Sequence, residues 1–150
     1  MKKTLIAAAL FFITITAFGQ AASPVKWAFT SHKKADKVYE VVLSATVAKP
    51  WHIYSQFTPD GGPLPTKVAF AANPLLAMNG GAKESGSLKT RHDETFGVDV
   101  KYFSDKVAFV QTIKLKGAVK TNIRGTIEYM VCNDSKCLPP VTQTFDIKLQ

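Results

Sequence analysis

The dominant spacing of apolar residues along the chain is two. Tyr39, Val41, Leu43, Ala45 and Val47 fall on one side of a segment whose other side holds Glu40, Ser44 and Thr46. Alternation of this kind predicts a strand with one buried face. Val107, Phe109, Ile113 and Leu115 repeat it, with Gln111 a polar intruder on the apolar side and Thr112, Lys114 and Lys116 opposite. Ile123, Ile127, Tyr129 and Val131 repeat it against Arg124, Thr126 and Glu128, and Phe145, Ile147 and Leu149 against Asp146 and Lys148. Weaker strands are expected over 25–30, 51–56, 66–70 and 98–103.

Turn-forming residues separate these segments: Pro59-Asp60-Gly61-Gly62-Pro63, Asn73-Pro74, Asn79-Gly80-Gly81, Ser104-Asp105 and Lys116-Gly117. No stretch carries a sustained helical stripe, although 74–78 is long enough for a single helical turn. Short strands at this spacing predict an all-β fold, an antiparallel sandwich, with a small barrel as the alternative.

The first residues break the pattern. Lys2 and Lys3 precede an apolar run from Leu5 to Phe18, and the small residues Ala17 and Gly19 stand just before Gln20. That is the three-part form of a cleaved export signal over residues 1–19, with residues 20–150 left as one domain. The run is short for a membrane span. No cysteine follows it to take a lipid anchor.

Charge narrows the partners. The chain holds 19 Lys+Arg against 11 Asp+Glu, a net +8. The basic residues are scattered along the sequence, among them Lys33, Lys34, Lys67, Lys89, Arg91, Lys114, Lys116, Lys120 and Arg124, and they form no long run. No nucleic-acid motif accompanies them, so a solvated basic surface is expected and nucleic acid is not.

The chemistry centres on two cysteines. Outside the cytosol thiols oxidise, and Cys132 and Cys137, with no odd cysteine left over, are expected to pair. Parity places Cys132 off the core face that holds Ile127, Tyr129 and Val131, beside Arg124, Glu128 and Met130. As a staple the bond is weak: a six-residue loop contributes roughly 2 kcal/mol, against about 4 for a long one. A short exposed loop also lets an incoming thiolate reach a sulfur. Lys136 favours the Cys137 thiolate and Asp134 opposes it. On these grounds redox exchange and local stapling both stand. A zinc site needs about four ligands, and His32, His52 and His92 show no ligand spacing with the cysteines, so neither metal nor cofactor is expected.

The stretch Val131-Cys132-Asn133-Asp134-Ser135-Lys136-Cys137-Leu138-Pro139-Pro140 resembles the N-terminal periplasmic domain of the thiol:disulfide interchange protein DsbD. Trp51-His52-Ile53-Tyr54-Ser55-Gln56, with Gly61-Gly62-Pro63 after it, resembles that family's early aromatic strand, and Asp93-Glu94-Thr95-Phe96-Gly97 its acidic-aromatic cap loop. The resemblance implies an immunoglobulin-like sandwich in the periplasm with one exchangeable disulfide, Cys132–Cys137. It implies that Phe96 covers this bond, that Tyr54 packs near it, and that Asp93 and Glu94 influence thiol ionisation. It also implies a thioredoxin-like electron donor and oxidised periplasmic client proteins as partners, and it leaves room for a membrane protein as a further partner. The best-known members have one more residue between the cysteines and an aromatic directly after the Asp-Glu pair, where this chain has Thr95. The sequence ends soon after Leu149, so the membrane and thioredoxin-like domains of full DsbD are expected on separate proteins.

The plainer assignments run beside these. Trp51, Tyr54 and Phe96 serve equally as core aromatics, His52 as a surface or hydrogen-bonded histidine, and Asp93 and Glu94 as ordinary loop charges. The competing function is a non-enzymatic, immunoglobulin-like secreted binding module whose disulfide only holds a loop.

Overall fold

The alternating segments become the longest strands. A computed structural model describes residues 23–149; the expected export segment, residues 1–19, lies outside them. Twelve strands follow one another as β1 (Val25–Ala35), β2 (Val38–Val47), β3 (His52–Tyr54), β4 (Lys67–Phe70), β5 (Leu76–Met78), β6 (Lys83–Gly86), β7 (Lys89–Asp93), β8 (Val98–Phe103), β9 (Lys106–Leu115), β10 (Thr121–Tyr129), β11 (Val131–Cys132) and β12 (Val141–Leu149). Every pairing between them is antiparallel.

Two sheets enclose the main core. The first runs β1-β2-β9, with β5 and β6 both pairing with the far side of β9; the second runs β12-β10-β4. Tyr39, Val41, Leu43, Phe109 and Ile113 from the first meet Ile123, Ile127, Tyr129, Phe145 and Ile147 from the second in one buried cluster. The Ser31 hydroxyl donates to the Lys148 carbonyl at 2.8 Å and ties β1 to β12 where the two sheets meet. This is the immunoglobulin-like antiparallel sandwich that the alternation and the resemblance led us to expect.

The third sheet, β11-β3-β8-β7, positions the cysteines. β10 breaks at Met130 and resumes as β11, so this sheet continues one wall of the sandwich past the main core. Its registers pair Val131 with Ile53, Ile53 with Phe103, Cys132 with His52, and Tyr54 with Tyr102. Ile53, Phe103 and Val131 therefore point into the main core. Tyr54, Val100 and Cys132 build a second, smaller cluster on the opposite face, with Val98, Tyr102 and Met130 against it. Side chains alternate across a strand, so one register decides both faces at once.

Two features depart from the sequence expectation, and a third, Gln111, follows it. Residues 76–78 form β5 rather than part of a helical turn, because Leu76 and Met78 pair with Leu115 and Ile113 at the end of β9. β6 and β7 were not anticipated: Lys83-Glu84-Ser85-Gly86 and Lys89-Thr90-Arg91-His92-Asp93 are polar on both faces and take their conformation from β9 and β8. Gln111 is buried in the core; its Nε2 donates to the Thr112 carbonyl at 3.0 Å, while its Oε1 has no partner.

Gly125 shows how tightly the second sheet closes. It pairs with Phe145 on one side and Phe70 on the other, and those two rings meet edge to face at 5.6 Å. A Cβ on Gly125 would collide with the Ala69 carbonyl oxygen and the Phe145 ring. Gly125→Ala is expected to lower stability by about 1–3 kcal/mol, read as a lower urea midpoint at unchanged slope. Gly81→Ala, with nothing near the added methyl, should leave the midpoint in place.

Candidate functional site

The cysteine loop is the tip of the hairpin formed by β10–β11 and β12. Asn133 builds it. Its backbone N–H donates to the Lys136 carbonyl at 2.9 Å, and its side-chain Oδ1 accepts from the N–H groups of Ser135 and Lys136 at 2.9 and 2.8 Å. Asparagine is suited to this task because its short side chain can hydrogen-bond the backbone two residues on. The Leu138 N–H donates to the Val131 carbonyl at 2.8 Å and closes the hairpin base. Cys132 and Cys137 stand directly opposite, Cα atoms 4.0 Å apart, and are joined by a disulfide.

The two sulfur-bearing residues differ in environment. Cys132 lies off the main core, as parity predicts, yet it is not open to solvent: it is 1% exposed within the second cluster. Cys137 is exposed. The bond is thus buried at one end and open at the other, and it does not lie between the two main sheets.

A cleft of about 560 Å³ opens beside it, lined by Cys132, Cys137, Tyr54, Arg91, Asp93 and Phe96 among others. Its far wall is the β7–β8 turn. There the Gly97 N–H donates to the Asp93 carbonyl at 2.7 Å and Asp93 Oδ1 accepts from the Thr95 N–H at 3.0 Å. Gly97 has φ 68°, a conformation glycine adopts without strain. This turn carries Asp93, Glu94 and Phe96, so the fold brings these three together with Tyr54, Cys132 and Cys137 at one cleft. Phe96 keeps 40% of its surface exposed there, and Tyr54 is buried at 1% in the cluster that holds Cys132.

Behind Cys132 lies a polar-aromatic layer that sequence patterning did not assign. His52, directly opposite Cys132, is buried at 3% rather than on the surface. Its Nε2 is in a hydrogen bond with the Tyr54 hydroxyl at 3.2 Å, and its ring packs on Tyr54 and Tyr102. Burial, then the positive charge of Arg91, holds the His52 pKa down at about 4, with Asp134 and Asp93 opposing. Burial, then Asp93, pushes the Tyr54 pKa up to about 12. Both groups are therefore neutral near pH 7.

Arg91 is the residue the sequence reading passed over, counted only among scattered basic positions. It shares the cleft-facing side of the third sheet because it pairs with Val100. Its guanidinium donates to Asp134 Oδ1 at 3.1 Å, lies 3.9 Å from Asp93 Oδ2, and sits 5.3 Å over the Tyr102 ring. It therefore links the cap turn to the cysteine loop and offsets the Asp134 charge beside Cys137. Nothing in the chain order marks it, since Arg91 and Asp134 are 43 positions apart. Lys136 turns toward Trp51, its Nζ 6.0 Å from the ring centroid, and Trp51 packs against the main core. Among the described residues no group of His, Cys, Asp and Glu is arranged to hold a metal ion.

Fold and site together describe a β-sandwich domain with a disulfide beside an open cleft walled by the β7–β8 turn. The chain belongs to the family of the N-terminal domain of the thiol:disulfide interchange protein DsbD, which it matches over residues 20–149. No curated protein sequence matches it. Among solved structures, it is similar to the N-terminal periplasmic domain of ScsB from Proteus mirabilis, at TM-score 0.54 and 13% identity over 85% of this chain. The chain spans 46% of that structure's length. The N-terminal domain of DsbD from Neisseria meningitidis in its reduced form is similar at TM-score 0.50 and 21% identity, over 79% of this chain and 82% of that one. A third structure, the complex between the DsbD and PilB N-terminal domains of the same organism, matches at TM-score 0.51 and 18% identity, over 81% of this chain and 80% of that one. At these identities the likeness is one of fold. Among the described residues no helix is long and apolar enough to cross a membrane.

Two measurements test the electrostatics of the layer. Because the folded-state His52 pKa of about 4 lies below its ordinary value of 6.5, the unfolded chain binds the extra proton between these pH values. Stability contributed by neutral His52 is full above pH 6.5 and is lost as pH falls toward 4. The urea midpoint should drop over that window, and His52→Gln should lessen the drop. Arg91→Ala removes the second cause, so the His52 pKa, followed by proton NMR, should rise from about 4 while staying below 6.5.

Proposed function

We propose that this chain is an exported, periplasmic thiol–disulfide carrier that passes two electrons from a thioredoxin-like donor to oxidised client proteins through Cys132 and Cys137. Residues 1–19 direct export and residues 20–150 do the chemistry. The observation that carries the reading is the asymmetry of the disulfide, with Cys137 exposed at the cleft and Cys132 buried behind it.

A donor thiolate attacks Cys137 Sγ in line with the S–S bond. The bond between Cys132 and Cys137 breaks, a mixed disulfide forms at Cys137, and Cys132 leaves with the electron pair as a thiolate. The donor's second thiolate then attacks its own sulfur in the mixed disulfide. That releases the Cys137 thiolate, leaving the donor oxidised and this chain a dithiol. With a client disulfide the steps repeat in the other direction: Cys137 attacks, and Cys132 resolves the mixed disulfide. The buried cysteine is thus held ready for the resolving step while the exposed one meets partners.

The surroundings support these roles. Asp93 and Glu94 place negative charge at the cleft and oppose thiolate formation, while Arg91 offsets it. Phe96, which lines the same cleft, would shield the bond between encounters. Tyr54, neutral and buried, packs beneath Cys132 as a floor. The DsbD N-terminal domain of Neisseria meningitidis forms a complex with the PilB N-terminal domain, which supports a protein partner for this chain.

Redox titration against glutathione and trapping of partners test the proposal together. Cys132→Ser leaves Cys137 as an unopposed nucleophile and should accumulate a mixed disulfide with a thioredoxin-like protein. Cys137→Ser should accumulate far less, since its remaining thiol is buried. A potential far below about −300 mV, with no exchange with thioredoxin-like donors, would place the bond among inert structural disulfides and reject the carrier role.

A further inference from the structure

The scattered lysines are not scattered in space. At the end of the sandwich away from the cysteine loop, three connections converge: the β1–β2 turn, the β9–β10 turn, and the start of β5. The Leu115 N–H donates to the Lys37 carbonyl at 2.8 Å and the Lys116 N–H to the Leu75 carbonyl at 2.9 Å. Lys33, Lys37 and Lys120 line one shallow depression there with Leu115, Gly117 and Val119. Lys114 pairs with Val38, and Lys148 with Asn122 at the same end. Lys33, Lys34, Lys37, Lys114, Lys116, Lys120 and Lys148 share this end with the carboxylates of Asp36, Glu40 and Asp146, and Asp146 is already paired with Arg124 at 2.8 Å. With the Arg124–Asp146 pair set aside, the rest of residues 23–149 holds nine cationic side chains against eight acidic ones. Nearly all the net positive charge of the domain sits at this one end.

Little of it is neutralised locally. Lys34 pairs with Glu40 at 3.5 Å. Lys33, Lys37, Lys116 and Lys120 have no ion-pair partner among the described residues. The β9–β10 turn reads Lys116-Gly117-Ala118-Val119-Lys120, a small apolar tip between two lysines, with Val119 39% exposed.

We propose that this lysine end docks on an anionic phospholipid bilayer surface. The chemistry favours such a surface over a soluble partner. The seven cations are all lysines, compact charges suited to a diffuse layer of headgroups; arginine is the residue suited to bidentate carboxylate or phosphate recognition. No exposed Phe, Tyr or Trp stands among them for a nucleobase to stack on. An apolar tip flanked by lysines fits an interface where the tip meets the headgroup–acyl boundary and the ammonium groups meet phosphates. The geometry leaves the redox cleft free, because Thr121 and Leu149 lie at the lysine end of the β10–β12 pair and Cys132–Cys137 at its tip. The proposal does not rest on the exchange chemistry.

Sedimentation with vesicles tests it on the full chain. Vesicles of 30% phosphatidylglycerol in phosphatidylethanolamine are compared with pure phosphatidylcholine, which reports any binding by the apolar residues 5–18. Each lysine near an anionic surface strengthens binding about fivefold. The variant Lys33→Gln, Lys37→Gln, Lys116→Gln and Lys120→Gln should therefore lose at least tenfold in affinity for the anionic vesicles, with its urea midpoint unchanged. The variant Lys26→Gln, Lys49→Gln, Lys83→Gln and Lys106→Gln, with the same charge change elsewhere, should lose much less. Raising the salt to about 0.5 M should release the chain. The proposal is overturned if the two variants lose equally or if binding shows no preference for phosphatidylglycerol. It is also overturned if single-stranded DNA captures the chain through these four lysines at a salt concentration where vesicles do not.

Discussion

The structure of this domain depends on the register of three short strands, β11, β3 and β8. Cys132 pairs with His52, Val131 with Ile53 and Ile53 with Phe103, so one pairing decides which residues enter the main core and which build the layer beneath the disulfide. A slip of one residue would exchange the two sets. Val131 and Cys132 are neighbours in sequence, yet one seals the sandwich and the other anchors the disulfide. Burial of Ile53, Phe103 and Val131 therefore also fixes the cysteine: the hydrophobic gain on one face holds the chemistry on the other.

From that anchor the cleft is assembled by groups of opposite charge at its rim. Arg91 reaches both the cap turn and the cysteine loop, and its pairs with Asp93 and Asp134 are at least partly exposed, the kind of ion pair worth little to stability. Their effect is better seen in the electrostatics of the cleft. Arg91 helps keep His52 neutral, Asp93 helps keep Tyr54 protonated, and Asp134 is not left as an uncompensated negative charge beside Cys137. Neutral, hydrogen-bonded groups lie under the buried sulfur, and the charges stand at the open end of the cleft.

The disulfide and the lysine cluster stand at opposite ends of one scaffold. The β10–β12 hairpin joins them, with the disulfide at its tip and lysines around its open end. Long paired strands are stiff and well packed, so the distance between the ends is set by the core rather than by any flexible connection.

Much of this was legible in the chain itself. Alternation in 39–47, 107–115, 123–131 and 145–149 is strong because each segment buries one full face in a single core, and a buried face leaves a period-two record. The same parity put Cys132 off the main core, and the family resemblance of the Asp93–Gly97 and Trp51–Gln56 stretches pointed to Asp93, Glu94, Phe96 and Tyr54 beside it. The polar strands β6 and β7 left no such record, because their conformation comes from hydrogen bonds to β9 and β8 and not from burial. Arg91 was unreadable for the same reason: its importance lies in Asp134 and Tyr102, distant in sequence and brought near only by the β7–β8 pairing. The burial of Cys132 and His52 also belonged to the tertiary structure, since a face turned from one core is exposed or covered according to what the fold lays across it. So did the lysine end, where residues spread from Lys33 to Lys148 become neighbours because antiparallel strands return to the same place. The sequence by itself determined which residues share a face; tertiary pairing decided which faces meet, because backbone hydrogen bonds between strands act without regard to distance along the chain.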